Sequence, residues 1–214
     1  MTNFPTFFSF DVETTSKVAS AGELLTVGCV PVVRTADGWV KYPQHFYMRV
    51  DSTVRVTSQR HSSLAWWKEQ GEEVRGEAYE NRDLLRFDRT TTAKALAEWM
   101  ANIEPEWERR IFTANPVSFD KPWIDDLFVG AYMEFPYHHR SLCLRSMKFG
   151  IDPTVGYGSD RTTHQSLLPH HALADADAQA QDLIDMLNGR WLGRRRPLTA
   201  FTVELACIEE GPSQ

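Results

Sequence analysis

The sequence predicts an α/β fold, in which helices pack on the faces of a sheet. Short apolar runs typical of buried strands occur at 7–12, 24–33 and 111–114. Longer segments with apolar residues at helical spacing occur at 91–107, 120–132 and 172–187. Strands that alternate with amphipathic helices are typical of a sheet with helices packed on its faces. The length of 214 residues fits one such domain, since single α/β domains reach about 200 to 250 residues.

The composition predicts a compact protein in the cytoplasm. Hydrophobic residues make up 42% of the chain, and the longest apolar runs are shorter than the roughly 20 residues of a membrane-spanning helix. Cys29, Cys143 and Cys207 lack the spacing of metal ligands, and an odd number of cysteines without a signal peptide indicates a reducing compartment. The net charge of −6 still permits a nucleic-acid partner, because a bound metal would offset acids gathered at its site.

The first predicted strand carries two acids near its end. Asp11 and Glu13 are two residues apart, so they project from the same face of the strand. Two like charges on one face repel each other, and a hard divalent cation such as Mg²⁺ or Mn²⁺ between them would offset the repulsion. The alternative is a strand end at which both carboxylates simply reach water.

Two more strands are predicted before the first long helix. The runs 24–33 and 44–50 are separated by the turn residues 36–38, so the three strands would form an antiparallel meander that begins with the acidic strand. The helical pattern that follows has Thr91 or Thr92 at its start, and either hydroxyl can cap it. This helix is expected to pack on one face of the sheet.

Adjacent tryptophans lie in a short helix predicted after Ser62 and Ser63, which are good capping residues. Trp66 and Trp67 are about 100° apart around the helix axis, so at least one of them is expected to be partly exposed or to line a cleft. An exposed indole can stack on a nucleic-acid base. The alternative is that both rings pack at the edge of the core.

A third acid, Asp120, lies in the first turn of the helix that follows the strand at 111–114. An acid in this position complements the helix dipole, which is one explanation for it. It also lies just beyond the carboxyl end of a strand, where open α/β sheets bind their ligands. The sequence leaves both roles open.

The last predicted helix is rich in alanine and glutamine and has acids in its first two turns. His170 precedes Asp175 by five residues, so the two lie close together if the histidine sits just ahead of the helix. Asp177 is about 200° away from Asp175 around the axis and is expected to face solvent. The alternative for His170 and His171 is a pair of histidines in a solvated loop.

Together these residues resemble the DEDDh exonucleases, the superfamily of RNase T, oligoribonuclease and the proofreading exonucleases. The motifs are matched in order by Asp11-x-Glu13-Thr14, by Ser118-Phe119-Asp120 and by His170-x4-Asp175. The chain is more closely similar to the small phage and bacterial exoribonuclease-like members, whose Trp-Trp-x-x-Gln helix is matched by 66–70. The resemblance spans roughly 6–188. The residues Asn115, Pro116 and Val117 depart from the small or polar residues that usually precede the second motif.

The resemblance implies an RNase H-like fold, a mixed sheet flanked by helices, with a DEDDh exonuclease domain at 1–189 and a C-terminal tail at 190–214. It implies a 3'-5' exonuclease that removes nucleotides from single strands or 3' overhangs with two Mg²⁺ or Mn²⁺ ions. Two alternatives are a nucleic-acid-binding module that has lost the chemistry and a phosphohydrolase of short oligonucleotides or nucleotides. All five residues of the chemical site are present, which favours the enzyme over the inactive module.

The resemblance also assigns roles. Asp11 would bridge the two ions, Glu13 and Asp175 would hold the ion that binds the nucleophile, and Asp120 would support the site through water. His170 would deprotonate the attacking water, since imidazole titrates near neutral pH.

Residues outside this catalytic set are expected to bind the substrate. These candidates are Thr14, Trp66, Trp67, Ser118 and Phe119. The basic residues Arg140, Arg145 and Arg194 to Arg196 would meet phosphates or a second subunit, because homodimers are frequent in this superfamily.

Overall fold

A computed structural model describes residues 4–51, 63–81, 83–153, 164, 166 and 168–191. Its strands are β1 (Thr6–Thr14), β2 (Leu24–Thr35), β3 (Gly38–Lys41), β4 (Phe46–Arg49), β5 (Arg110–Ala114) and β6 (Ser141–Cys143). Its α-helices are α1 (Leu64–Trp67), α2 (Glu72–Arg75), α3 (Arg89–Ile103), α4 (Val117–Gly130), α5 (Leu144–Ile151) and α6 (Ala172–Leu187). The predicted tail lies outside the described residues except for its first two positions.

The strands form one mixed sheet in the order β3-β2-β1-β5-β6, with β4 also paired to β2. Strand β1 is antiparallel to β2 and parallel to β5, and β5 is parallel to β6. The mixed sheet with flanking helices confirms the predicted fold class. The sequence did not predict β3, so the predicted meander lacks this strand. Strand β3 begins at Gly38, whose φ of +130° is a backbone conformation that glycine adopts without strain.

Strand β1 lies in the middle of the sheet, and its side chains alternate between two cores. On one face it packs with α3 and α4, through Phe8, Phe10, Leu96, Trp123 and Leu127. On the other face it packs with α6, through Phe7, Val30, Ala176, Ala180 and Leu183. The alanines of α6 let this helix approach the sheet closely. Because β1 is central, the residues at its end lie between helices of both layers.

The first turn of α6 rests directly on the backbone of β2. Gly28 pairs with Asp11 in the sheet, and a Cβ atom on Gly28 would lie 2.3 Å from the carbonyl carbon of Ala172 and 2.4 Å from the nitrogen of Leu173. Only glycine fits such an approach. One turn later the Ser9 hydroxyl donates a hydrogen bond to the Ala176 carbonyl at 3.2 Å. These contacts fix the start of α6 beside the acidic end of β1.

The helix predicted around the paired tryptophans is shorter than its composition indicates. Helix α1 has four residues, and the chain is extended at Gly71 before α2 and a π-helical turn at Gly76–Glu80. The Trp67 indole donates to the Thr14 carbonyl at 2.8 Å, which attaches α1 to the end of β1. Ser62 lies outside the described residues.

A buried ion pair joins α5 to α6. The ammonium of Lys148 lies 2.6 Å from a carboxylate oxygen of Asp182, and the two side chains are 4% and 0% exposed. A buried charge of either sign is costly without such a partner. Across the described segments, no helix combines the length and the apolar character that crossing a membrane requires.

Candidate active site

An open cleft of about 510 Å³ lies at the carboxyl end of β1. The predicted site residues that line it are Asp11, Glu13, Thr14, Trp66, Phe119, Asp120, His170 and Asp175. The four acids and the histidine come from β1, from α4 and from the start of α6, and the sheet topology brings them together. Residues far apart in sequence therefore form one acidic site.

The acids of β1 project toward α6, on the same face of the strand as predicted. Glu13 is 8% exposed, whereas Asp11 is half-buried at the floor of the cleft. The Gln179 side-chain amide on α6 donates to Asp11 Oδ1 at 2.7 Å. The carboxylate of Asp11 is thus fixed from the helix side.

Asp120 links α4 to the acidic strand. Its side chain is 2% exposed, and Oδ1 accepts a hydrogen bond from the backbone nitrogen of Val12 at 3.2 Å. Asp120 also occupies the first turn of α4, where the helix dipole favours a negative charge. Asp120 therefore lies both in the first turn of α4 and on the lining of the cleft, and its part in ligand binding stays a prediction.

Asp175 and His170 face each other across the turn that leads into α6. The His170 backbone nitrogen donates to Asp175 Oδ2 at 2.8 Å, and His170 has a left-handed φ of +65°. Possible ligand atoms of Glu13, His170 and Asp175 all lie within 4.8 Å of one another. This turn places the imidazole beside the carboxylates.

The acids raise one another's pKa. Burial raises the pKa of Asp11 well above its usual range, and the charges of Asp120, Glu13 and Asp175 raise it further. Burial and the neighbouring acids act in the same direction on the pKa of Glu13. Burial raises the pKa of Asp120 to about 8, against the opposing effect of the Val12 hydrogen bond and Arg145. These raised pKa values show that the charged carboxylates are costly next to one another, and a hard divalent cation, which prefers such oxygen donors, would offset that cost.

The sequence matches the 3'-5' exoribonuclease Rv2179c-like domain over residues 6–186. The chain belongs to this family. This membership confirms the predicted DEDDh superfamily and the predicted class of enzyme, a 3'-5' exonuclease hydrolase. No curated protein matches the chain.

Solved structures of E. coli exonuclease I share the fold. A complex with a dT13 oligonucleotide has a TM-score of 0.59 at 15% identity, covering 87% of this chain and 42% of that one. The zinc-bound form of its complex with single-stranded DNA has a TM-score of 0.56 at 15% identity, with coverages of 85% and 40%. A product-bound exonuclease I has a TM-score of 0.54 at 17% identity, with coverages of 88% and 45%. The chain spans about two fifths of the length of these proteins.

The structure of this family member separates the two adjacent histidines. His171 lies outside the cleft lining, and its ring stacks on Tyr47 with centroids 4.7 Å apart. Its Nδ1 accepts a hydrogen bond from the Ala174 backbone nitrogen at 3.4 Å, so His171 caps α6. His170, which the five-residue spacing selects, is the histidine in the cleft.

The two tryptophans also separate. Trp66 is 39% exposed at the cleft, and its ring meets that of His170 edge to face at 4.7 Å. Trp67 is fully buried, so the expectation that it binds substrate is wrong and its role is to pack in the core. Ser118 is exposed but does not line the cleft, so its part in substrate binding stays a prediction. Thr14 and Phe119 line the cleft as expected.

The basic residues between 140 and 148 are not all on the surface. Lys148 is buried against Asp182, and the charge of Arg145 acts on Asp120 at the site. Arg140 is exposed. The arginines at 194–196 lie outside the described residues, so their part in phosphate contacts or in a homodimer stays a prediction.

The sequence interpretation missed two residues that shape the site. Gly28 was included only as part of a strand, although a glycine inside a strand often marks a close approach of another backbone. Gln179 lies four residues after Asp175, so both face the sheet from successive turns of α6. A glutamine on the buried face of an alanine-rich helix was the available signal.

Proposed function

We propose that this chain is a divalent-metal-dependent 3'-5' exonuclease that hydrolyses single-stranded RNA from its 3' end by a two-metal mechanism. The assembly of Asp11, Glu13, Asp120, Asp175 and His170 in one open cleft carries the proposal. The family, described as exoribonucleases, favours RNA as the substrate. The exonuclease I structures hold single-stranded DNA, so DNA is the substrate to compare.

The donor set fits a divalent cation. Glu13 and Asp175 offer oxygens within 4.8 Å of each other and of an imidazole nitrogen, and Asp11 lies beside them in the cleft. These three carboxylates would hold the metal, and Asp120 would support the site beside them. Bound Mg²⁺ or Mn²⁺ would lower the pKa of the attacking water and offset charge on the phosphate and on the leaving 3' oxygen.

His170 is proposed as the general base. Its backbone is held by Asp175, and the edge contact with Trp66 restricts the imidazole to the cleft. A neutral imidazole nitrogen there accepts the proton of the attacking water. The left-handed backbone at His170 turns the chain into α6, so one turn orients both the base and the carboxylate of Asp175.

The walls of the cleft are suited to binding single-stranded nucleic acid. The exposed face of Trp66 and the ring of Phe119 lie on the walls of the cleft, and stacking of a base on an aromatic ring is worth about 1 to 3 kcal/mol. Lys17 is exposed on the rim, where its ammonium can meet a backbone phosphate. Stacking tolerates any base, so we expect little sequence preference.

The test is turnover of single-stranded RNA and DNA of matched sequence, labelled at the 5' end, with Mg²⁺ or Mn²⁺. Successive loss of single nucleotides, blocked by a 3' phosphorothioate linkage, is the expected result. A ladder of substrate lengths distinguishes this activity from hydrolysis of free nucleotides or dinucleotides.

Glu13→Gln should abolish turnover. Asp177→Asn is the matched control, because Asp177 lies on α6 but pairs with Lys41 at 2.7 Å away from the cleft. If the parent releases no nucleotides with either metal, or if Glu13→Gln matches the parent, the proposed function is wrong.

A further inference from the structure

Gln179 is almost entirely buried between α6 and β1. Its side chain is 3% exposed, and it follows Asp175 by one helical turn on the face of α6 that packs against the sheet. The neighbours on this face are alanines and leucines of the core, among them Ala176, Ala180 and Leu183. An amide is therefore held at a position where an apolar side chain of similar size would pack well.

Core packing alone does not account for this amide. Its oxygen, Oε1, is buried and has no hydrogen-bond partner among the described residues. A buried polar atom without a partner costs about 1 to 3 kcal/mol. The amide nitrogen offsets this cost, because Nε2 donates a short hydrogen bond of 2.7 Å to Asp11 Oδ1. The contact with Asp11 is thus the feature that distinguishes glutamine from an apolar residue here.

The position of the amide is fixed by the way α6 meets the sheet. Gly28 admits the backbone of Ala172 and Leu173 against β2, and the Ser9 hydroxyl holds the Ala176 carbonyl. Gln179 lies one turn beyond these contacts and reaches Asp11 across 168 residues of sequence. A neutral amide can orient a carboxylate without cancelling its charge, whereas a lysine or arginine would compete with a bound cation.

We propose that Gln179 is a positioning residue of the metal site, whose amide holds one oxygen of Asp11 so that the other is presented to the cation. This role rests on the proposed function, because it requires a cation at Asp11. The hydrogen bond also opposes the neighbouring carboxylates, since it lowers the pKa of Asp11 while they raise it. An orienting partner behind a metal ligand typically contributes 10- to 100-fold in metal affinity or activity.

The test compares Gln179→Met with Gln181→Met. Methionine keeps the unbranched length of glutamine and removes the amide. Gln181 is the matched control, because it lies on the same helix and its amide donates to Asp185 Oδ1 at 3.2 Å, outside the acidic cleft. Gln179→Leu is a second variant in case the first packs poorly.

Thermal unfolding is followed across a titration of Mn²⁺, together with exonuclease turnover. For Gln179→Met we expect the Mn²⁺ concentration that gives half of the metal-induced rise in Tm to increase at least about 10-fold. The Tm in chelator should stay close to that of the parent, and KM for the oligonucleotide at saturating Mn²⁺ should be unchanged. Gln181→Met should titrate like the parent.

Three outcomes separate the possible errors. If the parent responds to Mn²⁺ and both Gln179 variants respond at the same concentration, the positioning role is wrong and the proposed function stands. If Mn²⁺ changes neither the Tm nor the turnover of the parent, the proposed function is wrong, and this role with it. A lower Tm in chelator with an unchanged Mn²⁺ midpoint would assign Gln179 to packing alone.

Discussion

Two of the acids on helix α6 lie in opposite surroundings. Asp175, in its first turn, faces other carboxylates in an open cleft, and its pKa is raised chiefly by burial. Asp182 lies two turns further along, is fully buried, and has the ammonium of Lys148 at 2.6 Å. One helix therefore contains both an acid that is paired with an ammonium of the chain and an acid that faces other carboxylates.

This difference separates an acid whose ion pair belongs to the fold from an acid that would bind a cation from solution. At Asp182 an ion pair within the chain offsets the cost of burial, so the pair needs nothing from solution. Around Asp175 the chain supplies hydrogen bonds, such as those from the backbone of His170 and of Val12, which orient the carboxylates without cancelling their charge. Under the proposed function, this arrangement preorganises the acidic cleft for a cation from outside, at a cost in stability when none is bound.

The largest expected effect is loss of activity in Asp175→Asn. The change removes a charge that the proposed cation requires, so nearly all turnover of labelled RNA should disappear. Its Tm in chelator should equal or exceed that of the parent, because carboxylate repulsion is relieved. Asp182→Asn should show the reverse, a lower Tm with parent turnover per folded molecule. Near-normal turnover in Asp175→Asn would contradict the assignment of Asp175 as an acid that binds the cation.

The two histidines before α6 sharpen the comparison within the acidic cleft. His170→Ala should reduce turnover on the order of 100-fold or more, the usual contribution of a positioned base. The metal-induced rise in Tm should hardly change, since His170 is proposed as a base and not as a ligand.

His171→Ala provides the control for this prediction. It should keep turnover close to the parent but lose about 0.5 to 2 kcal/mol of stability, because it removes the cap of α6. The reverse pattern of activity would place the base one residue later in the chain.

The structural pair is tested by Lys148→Met. Removing the ammonium leaves the buried carboxylate of Asp182 without its cationic partner, so the free energy of unfolding in urea should fall by about 3 to 5 kcal/mol. The double variant Lys148→Met with Asp182→Leu should recover most of this loss, since both buried charges are then gone. No loss in the single variant would mean that this pair does not stabilise the fold.

Gly28→Ala tests whether the close contact between β2 and the start of α6 positions the residues of the cleft. The added Cβ meets backbone atoms of Ala172 and Leu173, which cannot move as a flexible side chain can. We expect a loss of about 1 to 3 kcal/mol in unfolding free energy and a fall in turnover as Asp175 shifts. Parent stability and parent turnover together would show that α6 is not held by this contact.

A further expected effect is the pH dependence of stability without metal. The folded-state pKa of Asp120, about 8, lies above the roughly 3.9 of an unfolded aspartate, so the folded chain binds the proton more tightly. The stability from this protonation is fully present below about pH 4 and is lost as pH rises toward 8. In chelator, Tm should therefore fall more steeply over this range in the parent than in Asp120→Asn. If Tm falls equally steeply with pH in both proteins, protonation of Asp120 does not contribute to stability.

The features predicted best from sequence are those set by local periodicity. A period of two placed Asp11 and Glu13 on one face of β1, and a period of 3.6 identified the sheet-facing stripe of α6. The five-residue spacing from Asp175 placed His170 in the cleft and His171 outside it. These relations hold within single elements, so a sequence contains them directly.

Features that depend on contacts between elements were not predictable in this way. The expected threonine cap of α3 is replaced by Asp88, whose carboxylate accepts from the Thr91 nitrogen at 2.9 Å. The burial of Trp67 follows from its bond to the Thr14 carbonyl, 53 residues away. Gln179 reaches Asp11 only because the sheet brings α6 against β1. Each requires the assembled fold.

The distance in sequence between the two sides of the cleft has a consequence for synthesis. Asp11 and Gln179 are separated by 168 residues, and ribosomes add roughly 5 to 20 residues per second, so about 8 to 34 seconds pass between them. During that interval β1 and its acids have left the ribosome without the helix that completes the cleft. A nascent chain therefore cannot assemble this site beside its own messenger RNA until α6 has emerged.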